Sequence, residues 1–276
     1  MRPLFAPSFR STFRLDYRCS RQAFTTAGTS GSDAVRQLLD QHKGRTITRR
    51  QVLDGNQLQK LSLTLNRPQL HRDLDVSKEP PANGTALPPG YHLVYFTPNG
   101  TEVDLGPDGT DRSFNAPAPF TRRMWAGGRV KWTKGRPLRV GEEVEERTTL
   151  LAAEPKKGRD GAEMIVVTVQ KEFWGPQGLS LVDERIHYDA AWSQGVENHP
   201  GIVVHGPLNL INLLDYWRDV HGVSGAEPIE IRYRLLSPIY SGEHYKIKAL
   251  PSGEPGRVDV SIVKNGTVCM KAEISE

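Results

Sequence analysis

Residues 202–208 read Ile-Val-Val-His-Gly-Pro-Leu, and they introduce the most clearly helical segment in the C-terminal half of the chain. Pro207 suits the first turn of a helix, where its missing N–H is not needed. Apolar residues then recur at helical spacing: Leu210, Leu213, Leu214 and Trp217. We therefore predict a helix over residues 207–220. Gly206 would begin it with an unobstructed backbone N–H at the positive end of the helix dipole.

After this helix the sequence alternates between apolar and polar residues, which is typical of strands packed on one face. The alternation predicts strands over residues 229–235, 245–249, 258–262 and 268–274, and Asn265-Gly266 is a type I′ hairpin signal between the last two. A sheet with one apolar face needs something buried against it. The sequence therefore predicts an α+β fold in which an antiparallel sheet wraps around a central helix.

Residues 186–189, upstream of the helix, read Ile-His-Tyr-Asp. His187 would supply an imidazole that titrates near neutral pH, and Asp189 follows two positions later. With the Gly206 amide, this pattern indicates proton chemistry beside a thioester carbonyl. The alternatives are an ordinary half-buried loop histidine at position 187 and a loop or cap carboxylate at position 189.

The composition excludes several classes of protein. The chain has 276 residues, of which 37% are hydrophobic and 25% charged, as in a globular protein. Much of the net charge of +4 comes from the N-terminus, so we expect no nucleic-acid partner. No apolar run approaches the roughly 20 residues that a membrane span needs. Cys19 and Cys269 form no metal-binding spacing, and they favour a reducing compartment over a disulfide scaffold.

The first 28 residues are rich in arginine and serine and nearly free of acids, with Asp16 as the one carboxylate. This composition is typical of a mitochondrial transit peptide. A disordered basic tail is the alternative. We predict import into the mitochondrial matrix.

The middle of the chain gives coarser signals. Residues 33–64 have helical spacing, and residues 91–96 form a short apolar run that predicts a strand before the turn Pro98-Asn99-Gly100. Two β-rich runs over residues 142–152 and 162–173 flank a glycine-containing turn and predict a hairpin. Residues 175–178 then break the chain before a short apolar run over residues 179–182.

Several strings together resemble the MaoC-like hydratases and dehydratases. They are the His-Gly-Pro-Leu that opens the helix, Leu-Pro-Pro-Gly-Tyr at 87–91, Arg-Met-Trp-Ala-Gly-Gly-Arg at 123–129 and Pro-Leu-Arg-Val-Gly-Glu at 137–142. Residues 35–276 are most similar to the fungal mitochondrial 3-hydroxyacyl-thioester dehydratase type 2 proteins and to mesaconyl-CoA-hydratase-like relatives. The resemblance implies a double hot-dog fold. An N-terminal hot dog would span residues 35–182 and a C-terminal one residues 183–276, the latter shortened at its start.

The resemblance also implies a site. His187, Gly206 and Asp189 match the catalytic residues of the family, in which the histidine lies in a loop before the helix. Arg122, Arg123 and Arg129 would meet the phosphates of CoA or the arm of acyl carrier protein, although a solvated basic face is equally compatible with them. For His205, a structural role is favoured over a contact with substrate. As the N-cap residue of the helix, its side chain would turn back to the backbone.

One position departs from the family pattern. Five residues before His187 the family has Asn or Asp, whereas this chain has Val182, which cannot form a side-chain hydrogen bond. Asp183 or Glu184 would be the substitutes for this missing partner.

The function implied is reversible syn dehydration of a 3-hydroxyacyl thioester in mitochondrial type II fatty-acid synthesis. The alternatives are a hydratase of short dicarboxylic acyl-CoA and a catalytically impaired acyl-thioester-binding protein. We expect acyl-CoA or acyl carrier protein as the partner, no cofactor and no metal. The expected assembly is a monomer with two hot dogs, or a homodimer.

Overall fold

A computed structural model describes residues 29–106, 111–120, 122–158, 161, 163–190, 203–222 and 227–276. The predicted transit peptide over residues 1–28 lies outside this part of the chain. The α-helices are α1 (Gly31–His42), α2 (Gly55–Thr64) and α3 (Gly206–Val220). Short 3₁₀ turns cover Tyr91–Val94 and Glu102–Asp104. The strands are β1 (Thr46–Val52), β2 (Gln69–His71), β3 (Leu74–Asp75), β4 (Arg122–Trp132), β5 (Glu143–Lys157), β6 (Glu163–Gly175), β7 (Gly178–Ala190), β8 (Glu230–Leu235), β9 (Lys246–Pro251), β10 (Arg257–Lys264) and β11 (Thr267–Ser275).

Nine of these strands form one antiparallel sheet in the order β1-β5-β6-β7-β4-β8-β11-β10-β9. The four strands predicted after the helix, the hairpin β5–β6 and the helix α3 are all confirmed. So is the α+β fold class, with a large antiparallel sheet and few helices. Strand β4 joins the two halves of the sheet, since it pairs with β7 on one side and with β8 on the other.

Helix α3 packs its apolar residues against the sheet and forms the main core with it. Leu210, Leu213 and Trp217 are at most 1% exposed and belong to one buried cluster with Val130 of β4 and Ile231 of β8. Helix α1 belongs to a smaller cluster with β5 and β6. None of the helices in the described ranges is long and apolar enough to cross a membrane.

Two predictions for the N-terminal half were wrong. Residues 33–64 are not one helical region, because Gly44 adopts a left-handed conformation with φ of +64° after α1 and the chain then pairs as β1 with β5. Residues 91–96 are not a strand but begin with a 3₁₀ turn. Gly90, at φ of +87°, approaches α3 so closely that a Cβ would lie 2.9 Å from Leu214. A short apolar run does not by itself distinguish a strand from such a buried turn.

The predicted short run over residues 179–182 is the start of a strand of 13 residues, β7. The strand is hydrogen-bonded on both sides, to β6 and to β4, over almost its whole length. His187 therefore lies within a strand, and its predicted position in a loop was wrong. Strand β7 also crosses the predicted boundary between residues 182 and 183, and the division into two hot dogs stays a prediction.

Candidate active site

The candidate site begins with one face of β7. Successive side chains of a strand point to opposite faces, so Asp183, Arg185 and His187 share a face. His187 has Val167 of β6 and Trp125 of β4 as its register partners on the two neighbouring strands. Val167 is fully buried and Trp125 is partly buried. The histidine is therefore held between an aliphatic and an aromatic side chain.

Burial dominates the ionisation of His187. Burial, followed by the nearby charges of Arg123 and Arg185, lowers the pKa of the imidazole to about 3. Its Nδ1 is buried and has no hydrogen-bond partner in the described part of the chain. The imidazole is neutral at physiological pH, so one of its ring nitrogens can accept a proton.

Trp125 connects His187 to the N-terminus of α3. The ring centroids of Trp125 and His187 are 6.1 Å apart, and those of Trp125 and His205 are 6.4 Å apart. A Cβ at Gly206 would lie 3.5 Å from Cβ of Trp125 and 3.2 Å from Cδ2 of Leu235. One indole thus contacts both the predicted base and the start of the predicted oxyanion helix. A larger residue than glycine would crowd this junction.

His205 is the N-cap residue of α3, but its side chain forms no capping hydrogen bond. The prediction that it turns back to the backbone was therefore wrong. Its ring instead meets the edge of Trp125. Burial, followed by the charge of Arg185, lowers the pKa of His205.

An ion pair with a fully buried carboxylate lies beside His187 on the same face of β7. Arg185 donates from Nε to Oδ2 of Asp183 at 2.8 Å, and its Nη2 lies 2.7 Å from the same oxygen. Asp183 is 0% exposed, and Nε2 of His92 is 3.6 Å from its Oδ2. Burial alone would raise the pKa of Asp183, but Arg185 and His92 outweigh it and hold that pKa well below its ordinary value.

Neither carboxylate that follows Val182 replaces the family's Asn or Asp at His187. Asp183 is four residues away along the strand, or about 13 Å at the usual rise per residue, and it binds Arg185. Glu184 points to the opposite face, where it accepts from Nη2 of Arg129 at 2.7 Å. Within the part of the chain that the structure describes, Nδ1 of His187 has no such partner.

The predicted substrate-binding arginines are not gathered at one point. Arg123 lies in β4 opposite Asp189 and donates from Nη2 to the carbonyl oxygen of Asp111 at 2.7 Å. Arg129 pairs with Glu184 on the face of the sheet away from His187, beside an open groove of about 800 Å³. The side chains of Arg122 and Asp189 lie outside the described part of the structure, and their roles stay predictions.

Two residues of the site were missed as functional candidates. Neither Trp125 nor Arg185 was predicted from the sequence to have a functional role. The guanidinium carbon of Arg185 lies 5.3 Å from the centre of the Trp125 ring. The signal for Arg185 was the spacing Asp183-x-Arg185-x-His187, which places all three side chains on one face of a strand.

A separate cavity of about 250 Å³ lies near the other end of α3. Its lining is mainly apolar and includes Trp132, Leu181 and Trp217. Leu181 and His187 are six residues apart in β7, or about 20 Å. The cavity is therefore distinct from the junction of His187, Trp125 and Gly206.

The sequence of this chain matches a family model and the sequences of known proteins. A model of the family described as hydroxyacyl-thioester dehydratase type 2 matches residues 90–185 and 178–241, which include β4, β7 and α3. The chain is 26% identical over 238 residues to the mesaconyl-C(4)-CoA hydratase of Chloroflexus aurantiacus, covering 66% of this chain and 82% of that protein. It is 21% identical over 234 residues to the mitochondrial hydroxyacyl-thioester dehydratase type 2 of Schizosaccharomyces pombe, covering 59% and 77% respectively.

The fold is also similar to that of solved structures. The crystal structure of a MaoC-like dehydratase from Phytophthora capsici superimposes with a TM-score of 0.56 at 15% identity. The match covers 84% of this chain and 94% of that one. The sheet and α3 therefore follow the hot-dog architecture of MaoC-like proteins.

Proposed function

This chain belongs to the hydroxyacyl-thioester dehydratase type 2 family of hydro-lyases, and we propose that it interconverts a 3-hydroxyacyl thioester and the trans-2-enoyl thioester with loss or gain of water. The observation that carries this proposal is the junction at Trp125. There a neutral, partly buried histidine and the glycine that starts α3 lie against the same indole.

In the dehydration direction, a base removes the proton at Cα while negative charge develops on the thioester oxygen. His187 would accept this proton, since its imidazole is neutral at physiological pH. General-base catalysis of this kind typically contributes about 10²- to 10⁴-fold. Negative charge beside the ring would in turn favour the imidazolium that forms.

The N–H of Gly206 would donate to the developing enolate oxygen. It lies in the first turn of α3, where the helix dipole is positive and the N–H groups have no partner within the helix. The hydroxyl at C3 then leaves as water after protonation, for which we propose the imidazolium of His187 or the carboxyl of Asp189. The C–O bond breaks, the Cα–Cβ double bond forms, and one water molecule is released.

For the biological role, we propose dehydration of 3-hydroxyacyl carrier protein in mitochondrial type II fatty-acid synthesis. The arginine-rich residues 1–28 and the similarity to a mitochondrial relative support this role. A hydratase of a C4 dicarboxylic enoyl-CoA is the second candidate, because the relative of that kind is the more similar in sequence, at 26% against 21% identity.

The test uses the purified chain with two pairs of substrates, followed by chromatography of the acyl thioesters. The first pair is 3-hydroxyoctanoyl carrier protein and its CoA ester, and the second is mesaconyl-CoA and crotonyl-CoA. Faster turnover of the carrier-protein substrate supports the first role, and faster turnover of mesaconyl-CoA the second. Tight binding of all four substrates without turnover in either direction would contradict both and indicate an acyl-thioester-binding protein.

A further inference from the structure

The partly buried side chain of Arg185 makes contacts on two sides. They connect the ion pair in β7 with the proposed catalytic junction. On one side, its Nε and Nη2 both lie within 2.8 Å of Oδ2 of Asp183. On the other side, its guanidinium carbon is 5.3 Å from the centre of the Trp125 ring. Arg185 is thereby fixed between a fully buried carboxylate and the indole.

The indole of Trp125, which Arg185 contacts, lies against both His187 and the start of α3. Its own Nε1 donates to the carbonyl oxygen of Gly127 at 3.0 Å, so the indole is held at its edge as well as on its face. The same ring contacts His187 and a Cβ position at Gly206. A shift of the indole would therefore change the distance between the imidazole and the start of α3.

Among the described residues no side chain satisfies Nδ1 of His187, and Val182 stands where the family has Asn or Asp. We propose that Arg185 is a positioning residue of the site. It holds the indole of Trp125 in place, and this indole sets the distance between His187 and the N-terminus of α3. This inference rests on the proposed dehydratase function and adds to it a residue outside the predicted catalytic set.

The charge of Arg185 gives the inference an independent readout. The groups that act on His187 from the surrounding elements are Arg123 of β4, Asp183 and Arg185 of β7, and Lys171 of β6. His205, at the start of α3, also packs against Trp125. Arg123, Arg185 and Lys171 lower the pKa of His187, whereas Asp183 raises it. Removing the cation at position 185 should raise the pKa of His187, a shift that reports how close the two side chains are without any need for turnover.

The chain provides a matched control. Arg147 of β5 also stacks on an indole, with its guanidinium carbon 4.7 Å from the centre of Trp174, and its Nε lies 2.7 Å from Glu145. Arg147 is in register with Glu172, and Glu172 with Val182. It therefore lies on the face of the sheet opposite His187. Arg147→Met removes the same kinds of contact from a place that does not touch the site.

The experiment compares Arg185→Met, Arg185→Lys and Arg147→Met in the full chain. We expect Arg185→Met to lower kcat about 10²-fold, the usual effect of misplacing a catalytic group by about 1 Å, with KM changed less than about threefold. The acidic limb of the pH profile of kcat/KM, which reports the free enzyme, should move to higher pH. Arg185→Lys should keep the limb near its original position with an intermediate kcat. Arg147→Met should behave like the unmodified chain.

The pKa of His187 is also measured directly by NMR titration of the histidine side chains, with His187→Gln identifying the resonance. This readout needs no turnover, so it separates failure of this inference from failure of the proposed function. If Arg185→Met is poorly folded because Asp183 loses its partner, the double variant Asp183→Asn with Arg185→Met leaves no unpaired charge, and its kcat is compared with that of Arg147→Met instead. The pKa criterion applies only to the single variant, because the two charges act on His187 in opposite directions. An unchanged His187 pKa, or equal kcat values for Arg185→Met and Arg147→Met, would overturn the proposal.

Discussion

The two ends of helix α3 place their buried polar groups in different surroundings. Near its C-terminal end, Asp215 accepts from the hydroxyl of Tyr91 at 3.0 Å and from Nη2 of Arg218 at 2.9 Å, so each carboxylate oxygen has a donor. At its N-terminal end, Nδ1 of His187 and the hydroxyl of Tyr233 are buried without a hydrogen-bond partner in the part of the chain that is described.

An unsatisfied buried polar atom typically costs about 1–3 kcal/mol. At the C-terminal end, Asp215 avoids this cost by pairing, as expected of a group that stabilises the fold. Unpaired buried atoms nevertheless occur at both ends among the described residues, since Nε2 of the C-cap residue His221 also has no hydrogen-bond partner there. The proposed catalytic end is therefore distinguished by the contacts of Trp125 with His187 and with the start of α3.

The largest expected effect is the loss of His187. Replacing it with alanine should lower kcat for dehydration by about 10²- to 10⁴-fold, since a general base is removed. Steady-state kinetics with 3-hydroxyacyl carrier protein measure the change. Equal rates for His187→Ala and the unmodified chain would mean that the N-terminal end of α3 is not the catalytic end.

The next effect concerns the amide of Gly206. Proline at this position removes the N–H but is tolerated in the first helical turn, and His205 already has the extended ψ of 129° that precedes proline. We expect Gly206→Pro to lower kcat about 10²- to 10³-fold, the usual effect of losing one oxyanion donor.

Gly206→Ala is the matched control for this change. It keeps the N–H and adds a methyl group 3.2 Å from Leu235. Its loss of kcat should be much smaller than that of the proline variant. If both variants lose the same activity, packing at Trp125 and not the amide accounts for the effect.

A smaller effect is expected in the pH dependence of stability. The pKa of His187 is about 3 in the folded protein against an ordinary value of 6.5. The unfolded chain therefore binds a proton below pH 6.5 that the folded chain does not, and stability falls as the pH decreases from 6.5 towards 3. Linkage gives a loss of about 2 kcal/mol between pH 7.5 and pH 5 from this group.

Urea unfolding at the two pH values measures this loss in the free energy of unfolding. His187→Gln, which carries no titrating group there, should lose about 2 kcal/mol less than the unmodified chain over the same interval. Identical pH dependence in the two proteins would show that the imidazole is not shielded from protonation at the N-terminal end.

The smallest effect is expected at the opposite end of α3. Tyr91→Phe removes a hydrogen bond to a charged carboxylate and should lower the free energy of unfolding by about 1.5 kcal/mol. Dehydratase activity should stay unchanged, since Tyr91 lies at the Asp215 end. A large loss of kcat at constant stability would contradict the division between a structural end and a catalytic end.

Much of the fold could be predicted because its signals are local. Helix α3, strands β8–β11 and the hairpin β5–β6 follow from periodicity and turn residues within about ten positions. β1 and the 3₁₀ turn at Tyr91 could not be predicted in this way. They depend on pairing with β5 and on the close approach of Gly90 to Leu214, both contacts between distant parts of the chain.

The same distinction holds for the site. The sequence by itself determined the glycine at the start of α3, the histidine at position 187 and the absence of the family's polar partner at Val182. Only the tertiary structure decided that His187 lies within a strand and that Asp183 binds Arg185. It alone decided that Trp125 joins the imidazole to the helix and that Arg129 faces away. The reason is physical: the pairing register of β4 with β7 brings Trp125 opposite His187, and register depends on long-range pairing that a local pattern does not contain.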